Sequence, residues 1–378
     1  MADDLGDAKA IVLDNGSGVM KASFSGGEGA PRVTFPTIVG RPKQSGSSGR
    51  EEVQVGDDAQ YHAGILILNH PIEHGIVTAW DDMEKIWEHT ISKSLCFSFP
   101  EEHPVLLTEA ASNSEGNREK LAEVMFETFN FPAMYVAIQS VLALYASGRT
   151  MGLVLDSGFG VSSAVPVYEG LALPNGIHNL NLGGQELTGY LHKLLDERGI
   201  SIHNPSNRDM VVDLKEKLSY VAIDFEQEMA NMESSPSSYE LPDGQEVTLT
   251  SERFRCPEAL FKPSLAGVEG SGIHEMCYNS IMVCDFDIRS QLYGNIVIAG
   301  GNAGIAGIAE RLTKEVTELA GTEVNASKPT SHQGDFSAWI GGDMLASHSS
   351  FKQMWISKSE FQESGASVAQ RRAPLPAV

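Results

Sequence analysis

Ala10-Ile11-Val12-Leu13 running into Asp14-Asn15-Gly16-Ser17-Gly18, and Gly152-Leu153-Val154-Leu155 running into Asp156-Ser157-Gly158-Phe159-Gly160, look like two copies of one element. Each apolar run is too short for a helix and is broken by glycines, so each reads as a buried strand entering a tight turn. Glycines let a backbone approach an anion closely and turn several N–H groups toward it. The leading aspartate of each turn would repel a bare phosphate, so amides combined with a carboxylate point to a phosphate held together with a divalent cation. Many β-turns carry Asp and Gly for conformational reasons alone, and it is the repetition that gives the pattern weight. Duplicated strand-turn units in two halves of a chain imply two related domains that clamp one nucleotide from both sides.

The chain of 378 residues is long enough for two or more domains, and a hydrophobic content of 42% is ample for packed cores. Its 27 basic and 50 acidic residues give a net charge of −23, which disfavours nucleic acid and anionic membranes as partners and favours basic protein surfaces. Cys96, Cys256, Cys277 and Cys284 show neither zinc spacing nor disulfide-scaffold density, so reduced thiols are expected. The acidic start, Met1-Ala2-Asp3-Asp4-Leu5-Gly6-Asp7, lacks the basic and apolar regions of a signal peptide. The longest apolar stretch, residues 134–146, is interrupted by Gln139 and Ser140 and is too short to span a membrane.

Residues 19–24, 33–39 and 164–168 read as strands, and residues 44–52, small, polar and glycine-rich, as an exposed loop. His70-Pro71-Ile72-Glu73-His74 matches a zinc-peptidase pattern, but Pro71 and Gly75 leave room for barely one helical turn, so a structural turn is expected instead. Residues 80–95 and 117–129 read as amphipathic helices, the second capped by Asn117 with Leu121, Val124, Met125 and Thr128 on its apolar stripe. Residues 134–147 read as a buried helix carrying one polar group, Gln139, and Gly183-Gly184-Gln185-Glu186 opens a helix through Leu195. Residues 213–229 read as one charged helix, on which Lys215 and Glu216 either reach a ligand or, as is usual for such charges, are solvated. Residues 239–247 form a polar hairpin turning at Asp243-Gly244. A third strand-glycine unit, Asn295-Ile296-Val297-Ile298-Ala299-Gly300-Gly301-Asn302, precedes a helix with Ile308, Leu312, Val316 and Leu319 on one face, an arrangement that commonly holds a nucleotide. The proline-containing end, residues 371–378, reads as loose.

Over nearly its whole length the sequence resembles an actin. The resemblance is carried by Leu13-Asp14-Asn15-Gly16-Ser17-Gly18, Asp81-Asp82-Met83-Glu84-Lys85-Ile86-Trp87, Met125-Phe126-Glu127-Thr128-Phe129 and Trp339-Ile340-Gly341-Gly342, and by residues 132–139, 144–150, 239–245 and 252–257. It implies an α/β fold of the actin-like ATPase type, with two related α/β domains, four subdomains in all, around a cleft holding ATP or ADP with Mg2+ or Ca2+. The outer domain would be residues 1–147 with 337–378, carrying 34–70 as its inserted subdomain. The inner domain would be 148–336, carrying 183–270. By the same resemblance Gly16, Ser17, Gly18 and Lys21 contact the phosphates from one side, and Ser157, Gly158, Gly160 and Val161 from the other. Asp14 and Asp156 hold the cation through water, and Gln139 orders and positions water. Gly184, Lys215, Glu216, Gly300, Gly301 and Ile305 line the nucleoside end.

The departures from the family carry as much meaning as the matches. Phe159 stands where actins have a second loop aspartate, and Ser163 where they have a histidine. An aromatic ring cannot organise a cation's water shell, and a serine hydroxyl is a poor proton acceptor at neutral pH, so at most slow ATP hydrolysis is expected. Gly304-Ile305, Asp335 and Val212 replace base-packing and cationic residues, which loosens recognition of the base. Residues 44–52 lack the apolar anchor of the loop that actins insert into a neighbouring subunit, Pro374-Leu375-Pro376-Ala377-Val378 replaces the usual ending, and His348 replaces a leucine at a partner groove that keeps Tyr145, Met344 and Leu345. Residues 261–275 keep the length of a loop that contacts the opposite strand.

The resemblance thus implies a divergent cytoskeletal actin in the cytoplasm, forming or joining filaments with itself or conventional actin and bound by actin-binding proteins. The alternative is a monomeric actin-like subunit of a larger machine, such as an axonemal dynein arm, dynactin or a chromatin remodeller. A metabolite kinase of the same fold lacks an evident general base for a substrate hydroxyl.

Overall fold

The computed structural model describes residues 8–27, 29–43, 53–97, 99–200, 207–231, 236–240, 246–328 and 335–371. The chain divides into two compact units, one of residues 1–151, 167–174 and 336–378, the other of 152–166 and 175–335. No helix among the described residues is long and apolar enough to cross a membrane.

The first unit is built on a mixed sheet whose strands run, in spatial order, Ile356–Ser357, Ala133–Ile138, Val105–Glu109, Ile11–Asn15, Val19–Phe24 and Val33–Pro36. Ile11–Asn15 is parallel to Val105–Glu109 and turns back antiparallel into Val19–Phe24, so the first aspartate-glycine turn sits at the carboxyl end of a central strand. All five residues of Ile11–Asn15 are buried, which is why the run is continuously apolar up to Asp14. Met83, Ile86 and Trp87 of the helix Trp80–Glu88 join Phe126 and Phe131 in the core beside this sheet. A small three-stranded sheet, Gln54–Val55, Val39–Pro42 and Leu66–Asn69, packs Ile38, Ala59 and Leu66 together and leaves Tyr61, Ile65 and Ile67 exposed.

The helix Ser337–Ser347 lies against the helix Gln139–Ala146 at Gly341 and Gly342. A Cβ on Gly341 would fall 2.0 Å from the Leu142 carbonyl oxygen, so the Gly-Gly pair permits a backbone approach that no larger residue allows. Tyr145 and Leu345, expected in a partner groove, are buried.

The second unit repeats the central motif. Gly152–Ser157 lies between Ser162–Tyr168 and Ile296–Ala299, with Ala326–Ser327 beyond and His178–Leu180 paired to Ser162–Tyr168. Gly152–Ser157 and Ile296–Ala299 are parallel and in register, Asp156 opposite Ala299, so two glycine turns leave the sheet side by side.

Several elements differ from the sequence reading. Residues 134–147 are a fully buried strand, Ala133–Ile138, followed by the helix Gln139–Ala146. A continuously apolar run fits either element, and pairing with Val105–Glu109 makes its first half a strand. The helix expected from Asn117 starts at Glu115, capped by Ser114, whose side chain accepts from the Asn117 amide. It continues as a π turn, Val124–Thr128, which brings Phe126 inward and leaves Thr128 exposed. The strand expected over 33–39 is broken at Thr37 into Val33–Pro36 and Val39–Pro42.

Residues 213–229 are not one helix. Asn207–Leu218 ends where Tyr220 bridges to Ala306 and Val221 donates to the Ala306 carbonyl, and Asp224 then caps a separate helix, Phe225–Ala230. In the helix Ile308–Ala320, Ile308, Leu312 and Val316 are buried but Leu319, in the last turn, is 42% exposed. The HPIEH stretch is a hairpin, Ile72–Glu73 with Ile76–Val77, turning at His74 and Gly75, both with positive φ. No group of three metal-ligating side chains occurs among the described residues.

The strands Ser237–Glu240 and Glu246–Leu249 pair as the expected hairpin, while its turn, Asp243-Gly244, lies outside the described residues. So do the loop 44–52, the start 1–7 and the end 372–378. Arg371 is held, donating to Glu360 and to the Trp355 carbonyl. All four cysteines are free.

Candidate functional site

In the first unit Asp14 is 2% exposed at the end of its strand. Its Oδ2 accepts from Lys21 Nζ at 2.9 Å, and its Oδ1 accepts from Thr108 Oγ1 at 2.7 Å and Gln139 Nε2 at 3.0 Å. Burial pushes this carboxyl up, but the Lys21 charge and the three hydrogen bonds together hold it below the usual carboxylate value, so it is ionised at neutral pH. A carboxylate offers about four acceptor positions. Three being taken, Asp14 suits a water of a hydrated cation better than direct metal ligation. The two protons of Gln139 Nε2 are shared among Asp14, the Asn15 carbonyl and Thr108, leaving Oε1 as the end that can orient a water.

The turn itself is anchored through its carbonyls. Thr37 Oγ1 donates to the Gly16 oxygen at 2.8 Å and the Thr37 amide to the Gly18 oxygen at 2.9 Å. Because a trans peptide sets N–H opposite C=O, these two bonds aim the amides of Ser17 and Val19 away from Thr37. Gly16 is required here, since a Cβ would lie 2.4 Å from the Val19 oxygen. Ser17 Oγ accepts from the Gly75 amide at 3.0 Å, which leaves its single proton to donate elsewhere.

In the second unit the loop after Gly152–Ser157 is anchored in the same manner by the helix Gly184–Glu197. The Gly158 oxygen accepts from the Gly184 amide at 2.9 Å, and the Phe159 oxygen from the Gln185 amide at 2.8 Å. The opposite ends of those two peptide units, the amides of Phe159 and Gly160, are thereby aimed away from the helix. The Gly158 amide itself closes the loop on the Val161 oxygen. Gly183 and Gly300 leave room for this packing: a Cβ on Gly183 would lie 2.5 Å from the Phe159 oxygen, and one on Gly300 2.4 Å from the Ser157 oxygen and 2.8 Å from Asp156 Oδ1.

Ser157 corrects one expectation. Its hydroxyl is fully buried and lies in a chain in which Ser162 Oγ donates to the Leu182 oxygen, Ser157 donates to Ser162, and Asn302 Nδ2 donates to Ser157. The single proton of Ser157 is therefore used inside the core, and only its backbone can face a ligand. Lys215 corrects another. It is 7% exposed, not solvated, and donates to the Gly184 oxygen and Thr188 Oγ1, with burial lowering its pKa. Glu216 lies at the surface of the same helix, and the protein around it, together with Asp335 and Asp213, outweighs Lys215 and pushes its carboxyl above the usual range.

Gly301 is exposed, with Asp335 Oδ1 3.5 Å from where its Cβ would be, and the Ile305 amide donates to the Asn302 oxygen. Ser163 Oγ donates to Asn179 Oδ1 at 2.7 Å, and Phe159 and Val161 are half-buried. The second unit thus brings Asp156, Ser157, Gly158, Gly160 and Val161 into one loop against Gly184 and Gly300, with Gly301 the next residue of the chain. Asp14, Gly16, Ser17, Gly18, Lys21 and Gln139 are gathered in the first.

Thr37, Thr108 and Asn302 were not legible as site residues. Thr108 had one weak signal, a polar residue directly after the apolar run 105–107. A protein-family model described as Actin matches residues 5–374 of the chain, and members of that family generally bind ATP or ADP with a divalent cation.

Proposed function

The chain belongs to the actin family, and from that premise we propose that it is a divergent actin, a nucleotide-binding structural protein of the cytoskeleton with reduced ATP hydrolysis. The observation that carries this reading is the contrast within the second loop. The Gly158 and Phe159 carbonyls are pinned to the helix so that the next amides in the chain, of Phe159 and Gly160, are aimed away from it, an arrangement suited to a phosphate, while the Phe159 ring and the Asn179-bonded Ser163 offer neither a cation-ordering carboxylate nor a good proton acceptor. The ligand is ATP or ADP with Mg2+ or Ca2+. The cation would neutralise phosphate charge, and Asp14, ionised with an acceptor position left over, is suited to hold water of its shell. The outer domain, 1–147 with 337–378, and the inner domain, 148–336, would be those of the actin fold; of the residues given to the inner one, 148–151, 167–174 and 336 fall in the first compact unit.

Self-association is supported by large apolar side chains left in water, chiefly Tyr61, Ile65 and Ile67 in one unit and Val283 and Phe286 in the other. We place the protein in the cytoplasm, forming or joining actin-type filaments with weakened contacts. Pelleting with Mg2+ over a range of concentrations, followed by negative stain, tests this. Soluble monomers throughout would instead favour a static subunit of a larger machine, such as an axonemal dynein arm, which needs neither turnover nor reassembly. Recovery of one stoichiometric complex from native extract would settle on that second reading.

The double change Phe159→Asp, Ser163→His is expected to raise single-turnover ATP hydrolysis by about 10²-fold or more, the usual yield of a positioned acid–base group. Unmodified protein that already hydrolyses ATP at the rate of ordinary actin would refute the assignment of these two positions.

A further inference from the structure

We propose that Asn302 is a positioning residue for polyphosphate, acting by fixing the orientation of the Phe159 amide. The inference rests on the nucleotide reading above and extends it to a residue outside both aspartate-glycine loops. Asn302 lies in the tight turn Gly301–Gly304 that follows Ile296–Ala299, and it is 5% exposed. Its carboxamide donates one proton to Ser157 Oγ and the other to the Gly158 oxygen, both at 3.0 Å. The Gly158 oxygen therefore has two donors from distant parts of the chain, Asn302 Nδ2 and the Gly184 amide at 2.9 Å.

One donor holds a carbonyl oxygen in place but lets its peptide plane rock about the hydrogen bond. A second donor from another direction removes that freedom. The peptide between Gly158 and Phe159 is trans, so whatever fixes the Gly158 oxygen fixes the Phe159 N–H on the opposite side. Preorganised donors bind an anion without first being ordered, and this is the source of the expected affinity. The Ser157 bond serves the same end. Through Ser162 it ties the loop to the Leu182 oxygen, so Asn302 links the turn after one strand to the loop after its neighbour.

The requirement is specific. Alanine removes both donors. Aspartate keeps the shape but sets a carboxylate against the Gly158 oxygen, placing acceptor against acceptor and negative charge beside the loop.

The test uses the full chain stripped of nucleotide, titrated separately with ADP and with adenosine, which lacks phosphates. Asn302→Ala is expected to weaken ADP about tenfold, the loss of roughly one hydrogen bond's contribution, while adenosine changes less than twofold. Asn302→Asp is expected to weaken ADP further, again sparing adenosine. In the unliganded protein, hydrogen exchange at the Gly184 amide, which is bonded to the same Gly158 oxygen, is expected to quicken in both variants.

Equal losses for ADP and adenosine would mean that Asn302 only supports the fold, and unchanged ADP affinity would overturn the proposal outright. If the unsubstituted protein bound neither ADP nor ATP, the nucleotide reading itself would fail. Exchange at Gly184 would then stand as a separate test, and unaltered exchange in the variants would reject Asn302 as the clamp.

Discussion

Replacing Arg118 with alanine is expected to destabilise the first unit by about 3–5 kcal/mol, the range for removing one partner of a buried ion pair. Arg118 is 2% exposed on the helix Glu115–Glu123 and grips Glu109 with two nitrogens, Nη2 to Oε1 at 2.6 Å and Nε to Oε2 at 3.1 Å. It also donates to the Val136 oxygen at 3.0 Å and the Ala369 oxygen at 3.1 Å. Its loss takes the neutralising charge from a buried carboxylate that still accepts from Asn113, and takes a donor from two carbonyls, one on the strand Ala133–Ile138 and one in the turn Ala366–Gln370. Urea unfolding of the variant measures the loss, and faster hydrogen exchange over residues 366–371 shows where it spreads. The paired change Arg118→Met, Glu109→Gln is expected to recover much of the stability, because no uncompensated charge is then left inside. A loss below about 1 kcal/mol for Arg118→Ala would mean the pair is solvated and its burial misjudged.

Gly300→Ala is expected to be nearly as damaging to the second unit and more damaging to nucleotide binding. Gly300 adopts φ 81°, ψ 170°, a region open essentially to glycine alone, and forcing another residue into it costs about 1–3 kcal/mol. The new Cβ would lie 2.4 Å from the Ser157 oxygen and 2.6 Å from its carbonyl carbon. Backbone atoms on both sides cannot yield without displacing the loop, and overpacking of this kind adds about 1–3 kcal/mol. Gly189→Ala is the control: at an exposed position of the helix Gly184–Glu197 its Cβ would meet nothing within 4 Å, and no loss of stability is expected, since alanine is the better helix former by about 1 kcal/mol. Thermal unfolding compares the two, and ADP titration should show loss for Gly300→Ala only. Equal behaviour of the two variants would remove the case that Gly300 shapes the loop.

Local patterns carried the reading wherever a residue's neighbours in sequence were also its neighbours in space. The turns Asp14–Gly18 and Asp156–Gly160 were legible because a short apolar run ending in aspartate and glycines has few other conformations open to it. The strand over residues 19–24 and the opening of the helix at Gly184 were legible for the same reason, though the antiparallel pairing of that strand on 11–15 was not. Residues 134–147 were misread as one helix because a strand buried on both faces shows no alternation, so periodicity cannot separate it from a buried helix. The helix expected over 213–229 failed on a long-range contact: Tyr220 and Val221 pair with Ala306, and no local propensity announces that.

By itself the sequence determined the two strand-turn units, the acidic balance that disfavours nucleic acid, and membership of the actin family through stretches spread along the chain. Tertiary structure decided what orients those turns: Thr37 on the first, Gly184 and Asn302 on the second, and Thr108 and Gln139 on Asp14. It also decided that Lys215 is buried and that the Ser157 hydroxyl is turned into the core. The physical reason is common to all of them. A hydrogen bond between residues as far apart as Ser157 and Asn302 exists only because two parallel strands end at the same level, and that register is a property of the folded sheet.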